Sequence, residues 1–102
     1  MVNTAILAIA ENFLRQIPIE LGVTKSYLFG SYAKGNENEE SDIDIAIVVA
    51  NMPDFFYTQS QLRKLRRKID IRIEPHPIRE KDFNILNPFA SEIERTGIEI
   101  RI

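Results

Sequence analysis

Two aspartates, Asp42 and Asp44, open an apolar segment that continues to Val49. Alternation along a strand would point both carboxylates to the same side, roughly 7 Å apart along the chain. Like charges held this close repel each other, whereas a divalent cation between them reverses that effect. Mg²⁺ binds through one or two carboxylates, keeps several waters and accepts phosphate oxygens. The aspartate pair is therefore a candidate metal site.

A glycine and a serine, Gly30 and Ser31, lie upstream, between a predicted strand over 26–29 and a predicted short helix over 31–34. A turn that leads from a strand into a helix presents backbone N–H groups and a positive dipole end to an anion. Gly30 would let the backbone approach a phosphate closely, and Ser31 adds a hydroxyl. A phosphate-binding turn that faces a metal site is what a nucleoside triphosphate needs.

A third carboxylate would allow two metal ions about 4 Å apart, as in polymerases. Strict alternation predicts a strand over 69–74 that ends at two prolines, and its polar face carries Asp70, Arg72 and Glu74. We choose Asp70 as the third metal ligand and keep Glu74 as the alternative.

Two other polar features receive no catalytic role. His76 lies between two prolines and is predicted to be a loop residue outside the site. The basic run Arg63–Lys68 is typical of the solvated face of a helix, and the other interpretation is a patch that meets an acidic partner or a nucleic acid.

Hydrophobic periodicity predicts an α+β domain with a mixed sheet, helices packed mainly on one face and a polar, acidic face opposite. Isoleucines at alternate positions of three strands form the face that the helices would cover. Besides the elements above, the predictions are helices over 4–16 and 55–68, short helices over 79–84 and 87–97 with Gly97 as a C-terminal cap, and strands over 42–49 and 98–102.

Length and composition exclude several classes of protein. The 102 residues predict one domain over 1–102, the net charge is −2, and there is no cysteine. The pI of about 5.4 argues against a general nucleic-acid binder. Without cysteines or an apolar run of roughly 18 residues, we expect a cytoplasmic protein with no membrane segment or signal peptide.

The spacing of Gly30-Ser31, ten residues, then Asp42-Ile43-Asp44 resembles the signature of the DNA polymerase beta-like nucleotidyltransferase superfamily. Ala33, Gly35 and Ser41 extend the similarity to its small prokaryotic members, the minimal nucleotidyltransferases. The resemblance implies the nucleotidyltransferase fold and covers nearly the whole chain.

The resemblance also implies a function: Mg²⁺-dependent transfer of a nucleoside monophosphate, AMP from ATP, to a protein. It assigns Asp42, Asp44 and Asp70 as catalytic metal ligands in a two-metal site and Gly30-Ser31 as the phosphate contact. Relatives pair as antitoxins with a helical HEPN-domain toxin. The alternative is an antitoxin that masks its partner by binding alone. Because 102 residues leave no room for a second domain, a partner or a second copy of the chain would complete the cleft.

Overall fold

Four strands and four α-helices form the part of the chain that the computed structural model describes, residues 3–102. In chain order they are α1 (Thr4–Arg15), β1 (Val23–Phe29), α2 (Ser31–Lys34), β2 (Ile43–Val49), α3 (Phe55–Arg66), β3 (Ile73–Arg79), α4 (Pro88–Thr96) and β4 (Ile98–Glu99), with single 3₁₀ turns at Ile19–Leu21 and Glu80–Asp82. The sheet order is β3-β2-β1-β4. Strand β1 runs antiparallel to β2 and β4, and β2 runs parallel to β3. The predicted α+β architecture with a mixed sheet is confirmed.

Side-chain caps define where the three longer helices begin. The side chain of Asn3 accepts hydrogen bonds from the N–H groups of Ala5 and Ile6 at the start of α1. Asp54 caps α3 and Asn87 caps α4 in the same way. Each cap satisfies backbone donors that have no partner within the helix.

The main core lies on the isoleucine face of β2, as the alternation predicts, whereas Ile71 and Ile102 of the other two predicted strands are exposed. Ile43, Ile45 and Ile47 of β2 are completely buried. They pack in one cluster with Phe13 of α1 and Leu62 of α3. Burying a large aliphatic side chain contributes about 1.5–3 kcal/mol, so this face supplies much of the stability that holds β2 in place.

The opposite face of the sheet divides into two regions. Helix α4 covers one region, where Tyr27, Ala46, Ile78 and Ile93 form a smaller buried cluster. Asp44 and its neighbours on β3 occupy the other region, at the end where β2 and β3 begin. The predicted acidic face is therefore confined to that end of the sheet.

The predicted strand over 69–74 is wrong in its bounds, because β3 spans Ile73–Arg79 and contains both Pro75 and Pro77. Strand β3 lies at the edge of the sheet, where proline is tolerated if its nitrogen faces away from the neighbouring strand. The N–H of Ile43 donates to the carbonyl of Arg72. In a parallel ladder only alternate residues direct their backbone N–H and C=O groups toward the neighbouring strand. Arg72 does so, and Pro75 and Pro77 are an odd number of residues away from it, so the nitrogens of both prolines face outward.

The C-terminal segment is less regular than the predicted strand over 98–102. Strand β4 contains only Ile98–Glu99, although the Ile100 N–H still donates to the Ser26 carbonyl. Gly97 ends α4 with a φ of −79°, outside the left-handed region. A Cβ there would lie 2.5 Å from the Ile93 carbonyl oxygen, so glycine is needed for close packing at this position.

Within residues 3–102, no helix is both long enough and apolar enough to cross a membrane.

Candidate active site

The glycine–serine turn and the acidic strand are in direct contact. Phe29 at the end of β1 lies beside Asp44 in the antiparallel ladder, and the chain turns at Gly30 with a φ of 75°. A Cβ at residue 30 would lie only 2.4 Å from Oδ2 of Asp44. Glycine is therefore required twice, by the backbone conformation and by the carboxylate that lies against it.

Ser31 begins α2 directly after this turn, as predicted. The N–H groups of Ala33 and Lys34 donate to the Gly30 carbonyl, and Gly35 closes the helix with a φ of 77°. Ser31 is only half-buried, so its hydroxyl can meet a ligand beside Asp44.

The two aspartates of β2 differ in their surroundings. Asp42 precedes the strand and is exposed, whereas Asp44 lies within it with a quarter of its side chain exposed. Strand alternation points both to the polar side of the sheet. Asp42 is thus open to solvent, whereas Asp44 is backed by the Gly30 turn.

The structure does not bring Asp70 to this pair. Asp70 lies in the turn before β3, and the ladder with β2 begins only at Ile73. Its Oδ1 accepts from the backbone N–H and Nε of Arg72 at 2.9 and 3.0 Å, and its Oδ2 accepts from Nη2 at 2.7 Å. The Arg72 side chain thereby lowers the pKa of Asp70 below its ordinary value. The expected strand position of Asp70 is wrong, because the strand begins later than the sequence alternation suggests.

Glu74, the alternative to Asp70, is the residue of β3 that lies directly beside Asp44 in the parallel register. Its carboxylate forms ion pairs with Arg63 at 3.0 Å and Arg66 at 3.1 Å. These arginines belong to the basic run of α3, so part of that run faces Glu74. The ion pairs hold the Glu74 carboxylate against α3.

His76 also belongs to the site, contrary to its prediction as an excluded loop residue. It lies in β3, and its Nε2 is 3.1 Å from Oδ1 of Asp44. Its ring packs against Phe29 and Phe89, with centroid distances of 4.9 and 6.0 Å. Glu74 and His76 are two residues apart and would share one face of a strand. This spacing predicts that His76 belongs to the site only if the strand is extended through both prolines.

The donor set fits Mg²⁺ only in part. Among residues 3–102, no three histidine, aspartate or glutamate side chains converge closely enough to hold a metal ion by themselves. The candidate metal ligands are therefore the carboxylates of Asp42 and Asp44 at the start of β2. Two carboxylates match the way Mg²⁺ binds when phosphate oxygens and water complete its coordination. The site is therefore suited to a metal that arrives with a nucleotide.

An open groove of about 330 Å³ adjoins the site on the side of β3. His76 and Phe89 form the wall nearest to Asp44, and Phe55 and Gln59 of α3 belong to the lining as well. Oε1 of Gln59 is buried without a hydrogen-bond partner among the described residues. The groove therefore meets the site at His76, which lines the groove and contacts Asp44.

A glycine–serine turn that contacts an aspartate of the neighbouring strand on a mixed sheet is the arrangement that the nucleotidyltransferase resemblance predicts. The family described as Polymerase beta, Nucleotidyltransferase matches residues 11–101. The chain belongs to this family and is a nucleotidyltransferase, which confirms the resemblance inferred from the sequence.

Relatives and solved structures support the same assignment. The chain is 38% identical over 76 residues to "Putative protein adenylyltransferase MJ0141" of Methanocaldococcus jannaschii, covering 72% of this chain and 74% of that protein. A chain in a crystal structure of a toxin–antitoxin with AMP-PNP is 25% identical, with a TM-score of 0.66 over 93% of this chain and 72% of that one. A mutant of the toxin–antitoxin MntA-HpeT shares the fold at 23% identity, with the same TM-score and coverage.

Proposed function

We propose that this nucleotidyltransferase transfers AMP from ATP to a hydroxyl group of a protein, with Mg²⁺ bound at the aspartate pair. The observation that carries the proposal is the contact between the Gly30 turn and the Asp44 carboxylate. This contact puts a candidate phosphate contact next to a candidate metal ligand. The name of the M. jannaschii relative supports a protein as the acceptor.

Each pair of site residues would have a separate role in the reaction. The acceptor hydroxyl loses its proton to a carboxylate or to water, its oxygen forms a bond to the α-phosphorus, and the bond to the β-phosphate oxygen breaks so that pyrophosphate leaves. Gly30 and Ser31 would bind phosphate oxygens through the backbone and the hydroxyl. Asp42 and Asp44 would hold Mg²⁺, which when bound supplies positive charge that orients the α-phosphate and stabilises the leaving group.

We propose Glu74, in place of Asp70, as the third carboxylate of the reaction. Glu74 lies beside Asp44 in the register, whereas both oxygens of Asp70 are engaged by Arg72. Glu74 would have to exchange an arginine partner to meet a second metal or the acceptor proton. Arg63, whose side chain is half exposed, is the partner that can move most freely.

We further propose that the acceptor is a toxin of the HEPN type and that this protein is its antitoxin. The support is the similarity to chains of toxin–antitoxin structures. A binding-only antitoxin is the second candidate. It is favoured by the engagement of Glu74 with two arginines and by the lack of a three-ligand metal cluster within residues 3–102.

One experiment separates these two functions. The protein is incubated with Mg²⁺, ATP labelled in its α-phosphate, and the product of the adjacent gene, and label on that product is measured. The same neighbour is tested for neutralisation in cells by wild type and by the Asp42→Asn/Asp44→Asn double variant. Catalysis predicts that the double variant loses both labelling and neutralisation. Full neutralisation by the double variant, without labelling by wild type, would establish binding alone.

A further inference from the structure

The Asp44 carboxylate is held between two groups on neighbouring strands. Its Oδ2 lies against Gly30, where no side chain could be accommodated, and its Oδ1 lies 3.1 Å from Nε2 of His76. Asp42 makes neither of these contacts, because it precedes the strand and is exposed. The two aspartates are thus positioned to different degrees, and only Asp44 has a defined orientation.

The structure around His76 favours this contact. The parallel register puts Ala46 beside His76 and Glu74 beside Asp44, so His76 reaches Asp44 diagonally across the pair. Ala46 is small and completely buried, and no longer side chain at that position blocks the diagonal. The contact therefore depends on the register of β2 against β3.

The ring of His76 packs against a pair of phenylalanines. Phe29 contacts it edge-on, Phe89 lies beside Phe29 with its centroid 6.0 Å from that of His76, and the two phenylalanine rings contact each other with centroids 5.6 Å apart. Pro75 and Pro77 on either side restrict the backbone, since proline fixes φ. An aromatic ring held in this way acts as a rigid support for a carboxylate.

We propose that His76 is a positioning residue that donates its Nε2–H to Oδ1 of Asp44 and holds this carboxylate ready for a metal-bound nucleotide. Partners of this kind orient metal-binding side chains, and their loss reduces metal affinity or activity by roughly 10- to 100-fold. The catalytic consequence rests on the proposed function. The hydrogen bond itself does not.

The chain contains a single histidine, so the hydrogen bond can be observed directly. Protein made with isotope-labelled histidine is examined by proton–nitrogen correlation in mildly alkaline buffer, where an ordinary imidazole is neutral. We expect a downfield Nε2 proton that is protected from exchange with water. It should be lost in Asp44→Ala and shifted upfield in Asp44→Asn, which keeps the shape of the residue. Absence of this signal in wild type, or a signal that neither variant changes, would overturn the proposal.

Kinetics then test the consequence. His76→Phe keeps the aromatic packing but has no donor, whereas His76→Gln retains an N–H. We expect His76→Phe to lower kcat roughly 10- to 100-fold with little change in the KM for ATP, and His76→Gln to recover part of the loss. Equal rates in wild type and His76→Phe would contradict the positioning role. A wild type without transfer would refute the proposed function, and the magnetic-resonance result would still decide the contact.

Discussion

The carboxylate of Asp44 occupies the space in which a side chain at Gly30 would begin, with Oδ2 2.4 Å from the position of a Cβ there. The turn that follows β1 and the acidic end of β2 are therefore one structural unit. Any residue larger than glycine at position 30 must displace the carboxylate, the turn or both.

Replacement of Gly30 by alanine should abolish nucleotidyl transfer. The variant meets the Asp44 carboxylate and also keeps a backbone with φ 75° and ψ −149°, a conformation that costs a non-glycine residue about 1–3 kcal/mol. The measurement is the transfer rate together with the free energy of unfolding in urea.

Gly35→Ala is the matched control for that variant. Gly35 also has a positive φ, 77° against 75°, but its ψ of 18° puts it in the left-handed region, and a Cβ there would meet nothing within 4 Å. We expect a backbone cost of about 1–2 kcal/mol, no larger than that at Gly30, and nearly normal transfer. Equal activity of the two variants would show that the contact with Asp44 does not matter.

Glu74→Gln and Asp70→Asn distinguish the two candidates for the third carboxylate. Because Glu74 lies beside Asp44 and Asp70 does not, Glu74→Gln should lower kcat at least about 100-fold, as expected for a group that acts in the transition state. Asp70→Asn should change kcat less than about threefold, a difference below 1 kcal/mol. The measurement is the rate of transfer at saturating ATP for both variants. A larger loss of kcat in Asp70→Asn than in Glu74→Gln would show that Asp70 is the third carboxylate.

The ion pair of Asp70 with Arg72 should make stability depend on pH. Hydrogen bonds from Arg72 lower the pKa of Asp70 in the folded state, so the folded pKa lies below the unfolded one. The stabilisation is complete above the ordinary carboxyl pKa of about 4 and is lost as the pH falls through the lower folded pKa. Asp70→Asn should therefore be less stable than wild type at neutral pH, and the difference should shrink toward about pH 2. A difference that stays constant in urea unfolding over this range would refute the assignment.

Mg²⁺ and a nucleotide should stabilise the folded chain together. A ligand at 100 times its Kd adds about 2.7 kcal/mol to the free energy of unfolding, so saturating Mg²⁺ with AMP-PNP should raise Tm by about 10–20 °C. Neither component alone should reach this shift, because the aspartate pair and the phosphates complete the metal site jointly. The Asp42→Asn/Asp44→Asn variant should show no joint shift. A wild type without one would argue against a metal at this pair.

Local patterns in the sequence were sufficient for much of the fold and for half of the site. Gly30 and Ser31 directly follow β1, and Asp42 and Asp44 lie at the start of its antiparallel neighbour β2, so their proximity follows from chain order and alternation. The isoleucine face of the sheet follows from the same alternation.

The remaining part of the site depends on register, which alternation does not determine. Asp70 and Glu74 are an even number of residues apart, so alternation alone assigns both to the same face of a strand. Only the parallel pairing of Asp44 with Glu74 distinguishes them. Prolines usually end strands, but an edge strand tolerates them when they face outward. Because of this exception, β3 continues through Pro75 and Pro77, and His76 lies beside Asp44.

The most direct test follows the phosphorus atom that moves. Wild-type protein, Mg²⁺ and the product of the adjacent gene are incubated in parallel with ATP labelled in its α-phosphate and ATP labelled in its γ-phosphate. We expect that only the α-label becomes bound to the partner and that Asp42→Asn/Asp44→Asn abolishes this labelling. Transfer of γ-label, or α-label transfer that survives in the double variant, would contradict nucleotidyl transfer at this pair of aspartates.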